Sequence, residues 1–116
     1  MKTCYILSRS ASRSPNQNDF PITTSNEGLA EYVCYEDKLD AFSAANKDLD
    51  ERYGDTSKFE MLEAGTDENS VWGVFKYNDP ITNRYGQSLD VYIKVVYKFI
   101  ELTVIPASAN NRAVEE

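Results

Sequence analysis

At 116 residues the chain is long enough for one domain and one core, but not for two. Hydrophobic residues make up 41% and charged residues 27%, a balance that excludes an intrinsically disordered chain. Twelve Lys and Arg against nineteen Asp and Glu give a net charge of −7. That sign disfavours generic binding to nucleic-acid phosphates, which needs a cationic surface to release counterions.

Residues 3–7, T-C-Y-I-L, are apolar on both faces and predict an interior strand. Residues 8–28 follow, rich in Ser, Asn, Arg and Pro, and are expected to form a long loop of functional or mobile character. Phe20-Pro21-Ile22 would pin the middle of that loop to the core. A second strand is expected over residues 29–35, L-A-E-Y-V-C-Y, feeding directly into a helix.

The helix is predicted over residues 36–54, where Leu39, Phe42, Ala45, Leu49 and Tyr53 step by three and four onto one stripe. Asp37 suits the N-cap, and Asp40 places negative charge in the first turn, where the helix dipole favours it. Arg52 in the last turn and Gly54 just beyond form the usual stop signal. Asp48 and Arg52 make an i,i+4 pair worth about 0.3 kcal/mol.

Further strands are expected over residues 58–63, with Phe59 and Met61 on one side, and over residues 71–77, dense in aromatic and β-branched side chains. Residues 78–87 read as a hairpin loop. From Leu89 to Phe99 apolar residues alternate, and then the apolar set moves to Ile100, Leu102 and Val104. Such a change of parity predicts one long bent strand or two strands broken near Phe99. Pro106 ends the segment, leaving a polar tail at 106–116. The order β-β-α-β-β-β implies a two-layer α+β domain over residues 1–105, with the helix on one face of a mostly antiparallel sheet. Tyr92, Lys94 and Lys98 would lie on the other face.

The chemistry is narrowed most by the absence of histidine. Without it there is no Ser-His-Asp or Cys-His activation and no His-containing zinc site. Nor is there an Asp-rich ligand loop for calcium, so no metal, cofactor or enzymatic activity is expected. Cys4 and Cys34 read as small buried hydrophobes, with a disulfide open to them if their strands are neighbours. The first apolar run is too short for a signal peptide, and a cytoplasmic setting without membrane association is expected.

Three clusters are candidate binding features. Asp37, Asp40, Asp48 and Glu51 fall close together on the polar side of the helix, as an acidic face able to meet a basic partner. Arg84 and Tyr85 form an exposed anchor pair in the hairpin loop. Arg9 and Arg13, each flanked by serines, form an anion-binding candidate that lacks a Gly-x-Gly pattern or a Walker lysine. Short, acidic and without an active-site signature, the chain resembles in composition the small accessory proteins of phages and mobile elements. That resemblance implies a binding protein that occludes a larger, basic, nucleic-acid-handling partner, for example a DNA mimic or an inhibitor of a defence nuclease. The alternatives are a small phosphate binder or enzyme built on residues 8–14, and a homo-oligomeric module pairing its sheet edge with another copy.

Overall fold

A computed structural model describes residues 2–17, 20, 25–29 and 33–105, with 25–29 described as backbone alone. The elements run β1 (Lys2–Ser14), β2 (Ser25–Leu29), α1 (Lys38–Tyr53), β3 (Phe59–Thr66), β4 (Ser70–Tyr77), β5 (Ile81–Thr82), β6 (Ser88–Leu89) and β7 (Tyr92–Val104). Five of them form one antiparallel sheet in the order β2-β1-β7-β4-β3, and β5 pairs with β6 in a separate small hairpin. The chain is therefore an α+β domain, a sheet with one helix across it, and the expected order holds, with β5 set inside the expected hairpin loop and β6 split off from the start of the expected last strand.

Its frame is the ladder between β1 and β7, unbroken from Lys2↔Val104 to Ser14↔Tyr92. Two expectations are corrected by it. Residues 8–14 are strand, not the start of a long loop. In S-R-S-A-S-R-S the serines take one face and Arg9, Ala11 and Arg13 the other, so the period of two is present but carried by polar side chains. Nor is there a bulge or break near Phe99. Ile93, Val95, Tyr97 and Phe99 are buried on the helix side, while Ile100, Leu102 and Val104 lie on the opposite face. What changes at Phe99 is which face of a regular strand is apolar.

Against that frame lies α1. Asp37 caps it by accepting from the Leu39 N–H at 2.9 Å, and the Gly54 N–H closes its last turn on the Asp50 carbonyl at 2.7 Å. Ala41, Ala45 and Leu49 are buried, with Phe42 and Tyr53 packed beside them, whereas Leu39 is exposed. The stripe is thus rotated from the predicted one, and its alanines let the helix lie close to the sheet. Gly73 of β4 serves the same approach, since a Cβ there would meet the Phe75 ring at 2.8 Å and Leu49 at 3.5 Å. Tyr53, Phe59 and Phe75 form an aromatic cluster at one end, with Tyr53 stacked on Phe75 at 5.0 Å between ring centroids.

Three smaller points concern the flanks. The second strand occupies Ser25–Leu29, ahead of the predicted 29–35; residues 30–32 lie outside the described residues, and Tyr35 makes an isolated bridge to Tyr5. In β3 a register shift between Met61 and Glu63 adds an unpaired residue; ahead of it Phe59 and Met61 share one side, as expected, with Met61 exposed there. Cys4 and Cys34 are joined in a disulfide, not free thiols. Phe20 is half-buried and, with Gln17, lines a recess over Trp72, Val74 and Lys94 on the sheet face away from α1. The expected contacts of Pro21 and Ile22, and the tail at 106–116, lie outside the described residues. Among the described residues, no helix is long and apolar enough to cross a membrane.

Candidate functional site

Arg9 and Tyr97 face each other across the β1–β7 ladder on the helix side. Asp48 of α1 reaches down between them. Its Oδ2 accepts from Arg9 Nη1 at 2.8 Å and from the Tyr97 hydroxyl at 2.5 Å. Arg52, one turn on, donates Nε to both carboxylate oxygens at 3.1 and 3.2 Å. The Arg9 and Asp48 side chains are only 8% and 12% exposed. Burial pushes the Asp48 carboxyl up, but the hydrogen bonds from Tyr97, Arg9 and Arg52, with the charge of Arg52, outweigh it and hold the group below 3.8. Burial and the neighbouring carboxylate push the Tyr97 phenol up, so it stays protonated and remains a donor.

This cluster redraws two of the predicted sites. Asp48 does not belong to an exposed acidic face; it is turned inward as a polar pin between helix and sheet. Arg9 and Arg13 do not converge on an anion. Arg9 is buried against Asp48, and Arg13, four residues on along the same strand, is about 13 Å further down it. Arg13 Nε lies 3.4 Å from the Tyr77 hydroxyl.

The remaining members of the acidic face are exposed. Asp37 is occupied as the helix cap, Asp40 is free of the sheet, and Glu51 lies 3.9 Å from Lys47. Asp40 and Glu51 stand about 16 Å apart along the axis, eleven residues at helical rise. Beyond α1, Asp50, Asp55, Glu60, Glu63, Asp67 and Glu68 are exposed as well. Among the residues whose side chains are described, every carboxylate except that of Asp48 faces water, so negative charge is spread over α1, β3 and the turns flanking β3. No group of three or more His, Cys, Asp or Glu there is arranged to hold a metal ion.

The turn between β5 and β6 presents Arg84 and Tyr85. Asn83 builds it. Its Oδ1 accepts from the Tyr85 and Gln87 backbone N–H groups at 2.9 and 3.0 Å, and its Nδ2 donates to Gln87 Oε1 at 3.0 Å. The Gly86 N–H returns to the Asn83 carbonyl, and Gly86 takes φ +80°, which a side chain would strain. Tyr85 is 74% exposed, with the Arg84 guanidinium 5.2 Å from its ring centroid. Sequence reading finds this exposed pair and misses Asn83, although Asn ahead of a Tyr-Gly step is an ordinary Asx-turn signal.

No family model matches the chain, and no curated protein or solved structure matches it significantly.

Proposed function

We propose that the protein is a small acidic binding protein that occludes a surface of a larger, basic, nucleic-acid-handling partner. One observation carries this reading: Tyr85 and Arg84 stand exposed at the tip of a hairpin whose turn is already organised by Asn83 and Gly86. An aromatic anchor held in its binding shape loses little freedom on docking, so more of its contact energy appears as affinity. The exposed carboxylates of α1 and β3 support the choice of a basic partner, since their field accelerates encounter with cationic surfaces and repels nucleic acid. Within this reading the protein is not an enzyme, and it acts by covering rather than by chemistry.

A cytoplasmic setting belongs to the same proposal. In a reducing cytosol Cys4 and Cys34 would be thiols held at a Cα separation of 5.9 Å; in an oxidising compartment they form the disulfide. The test is capture of partners on immobilised protein at low and high salt, with wild type beside an Asp40→Lys, Glu51→Lys variant. A basic nucleic-acid-binding protein retained at low salt, released at high salt and lost with the charge-reversed variant supports the reading. Capture unchanged by both salt and charge reversal refutes it.

A further inference from the structure

Beyond the body of the sheet, β7 continues as one half of a two-stranded ribbon. On one side β1 accompanies it to Val104, but on the other β4 covers it only from Tyr92 to Lys98. The last bond on the β4 side is from the Phe99 N–H to the Asn69 carbonyl, at 2.9 Å. Backbone groups alternate along an antiparallel strand, so those of Glu101 and Thr103 point the same way as those of Phe99. Among the described residues no strand meets them. Beside this open edge, on the face away from α1, Ile100, Leu102 and Val104 are 40%, 41% and 41% exposed, next to half-buried Ile6. A bare edge with an aliphatic flank is a template for another strand.

We propose that residues 100–104 of β7 are a self-pairing edge, on which a second copy of the chain lays its own β7 antiparallel about a two-fold axis at Leu102. The register itself argues for a second copy. It sets Leu102 against Leu102, Ile100 against Val104 and Glu101 against Thr103, so aliphatic meets aliphatic and no like charges face each other. The outward backbone groups of Glu101 and Thr103 then bond reciprocally with those of Thr103 and Glu101 of the second copy. The lengths agree as well. Pairing on this side ends at Phe99, whose N–H already goes to the Asn69 carbonyl, and in this register the incoming strand pairs up to its Val104, opposite Ile100, one residue short of that point. Ile105 of the second copy, an exposed residue in the single chain, comes just past the end of this ladder, beside Phe99 and the Asn69 turn. There an open recess of about 710 Å³ lies between Phe99, Ile100 and the Asp67–Asn69 turn. Charge opposes the pairing, since each chain carries −7, so screening strengthens it.

Sedimentation equilibrium tests this directly. The wild type is expected to approach twice its 13.2 kDa mass as concentration rises, with tighter association at high salt. Leu102→Glu and Leu102→Lys, each placing like charges opposite one another, are each expected to sediment as single chains. An equimolar mixture of the two restores the double mass, which also shows that both variants are folded. A wild type that stays at single-chain mass overturns the proposal, whatever else that edge binds. Dimers that persist in either Leu102 variant, or a mixture that fails to pair, also overturn it. The site is separate from the hairpin anchor: Tyr85→Ala leaves the dimer mass unchanged, and high salt strengthens self-pairing while weakening capture of a basic partner.

Discussion

Arg9 and Tyr97, neighbours across the central ladder, both donate to the same oxygen of Asp48. A guanidinium on one strand and a phenol on the next thus fix where the helix sits along the sheet. Removing the shared acceptor leaves a buried cation and a buried hydroxyl without their carboxylate. Asp48→Ala is expected to cost about 3–5 kcal/mol of stability, the range for breaking a buried ion pair from one side. Tyr97→Phe removes one charge-assisted hydrogen bond and should cost less, about 1.5–3 kcal/mol. Urea unfolding midpoints measure both. Equal costs, or a negligible one for Asp48→Ala, would contradict the pinning role.

The same cluster sets the pH limits of stability. Asp48 binds its proton more weakly in the folded protein than at the ordinary value of 3.8. Its stabilisation is therefore complete above that value and is lost as pH falls through the lower folded one. Asp55 and Asp67 are likewise held low, by Ser57 and by Asn69 with Ser70, so an acid slope remains in Asp48→Asn but is shallower than in wild type. Tyr97 moves the other way. The unfolded phenol ionises near 10.0 while the folded one resists, so stability falls as pH rises beyond that value. Chemical unfolding from about pH 3 to about pH 11 should show both limbs, with Tyr97→Phe flattening the alkaline one.

The Cys4–Cys34 bond closes a loop of sequence separation 30 and ties the approach to α1 onto the protruding ribbon. Reduction, or the paired Cys4→Ser, Cys34→Ser change, is expected to cost about 3 kcal/mol through the freedom returned to the unfolded chain. Thermal unfolding with and without reductant tests it. A midpoint that reductant does not move in the wild type would show that the bond contributes nothing.

How much of this is legible in the residues depends on which side chains carry the pattern. The helix is readable because its cap, its stop and its apolar spacing agree within a few positions of Asp37, Leu49 and Gly54. Residues 8–14 are not, because serine and arginine alternate where apolar residues usually do, and composition suggests a loop. Asp48 illustrates a second limit. Its i,i+4 relation to Arg52 is visible in the chain and is formed, at 3.1 Å, but its two stronger partners come from strands 39 and 49 residues away. Local sequence cannot tell an acid on the solvent face from one at the border of the buried arc. Arg84 and Tyr85 are found correctly as an exposed pair because a turn segment with one tyrosine leaves that ring few places to hide.

Preorganisation of that pair has its own test. Asn83→Ala removes the acceptor that orders the turn but touches no core residue, so global stability should stay within about 0.5 kcal/mol of wild type. Affinity for a captured partner should drop about fivefold, the cost of ordering the turn on binding. Surface plasmon resonance beside a thermal melt separates the two effects. Unchanged affinity would mean that the turn's internal bonds do not matter for docking.

The most direct test of the account is the affinity of Tyr85→Ala for a captured basic partner, measured on protein whose melting temperature matches wild type. If Tyr85 is the anchor, affinity falls at least about 30-fold, the loss expected for a binding hot spot. An affinity equal to that of the wild type would contradict the claim that this hairpin tip is where the partner is held.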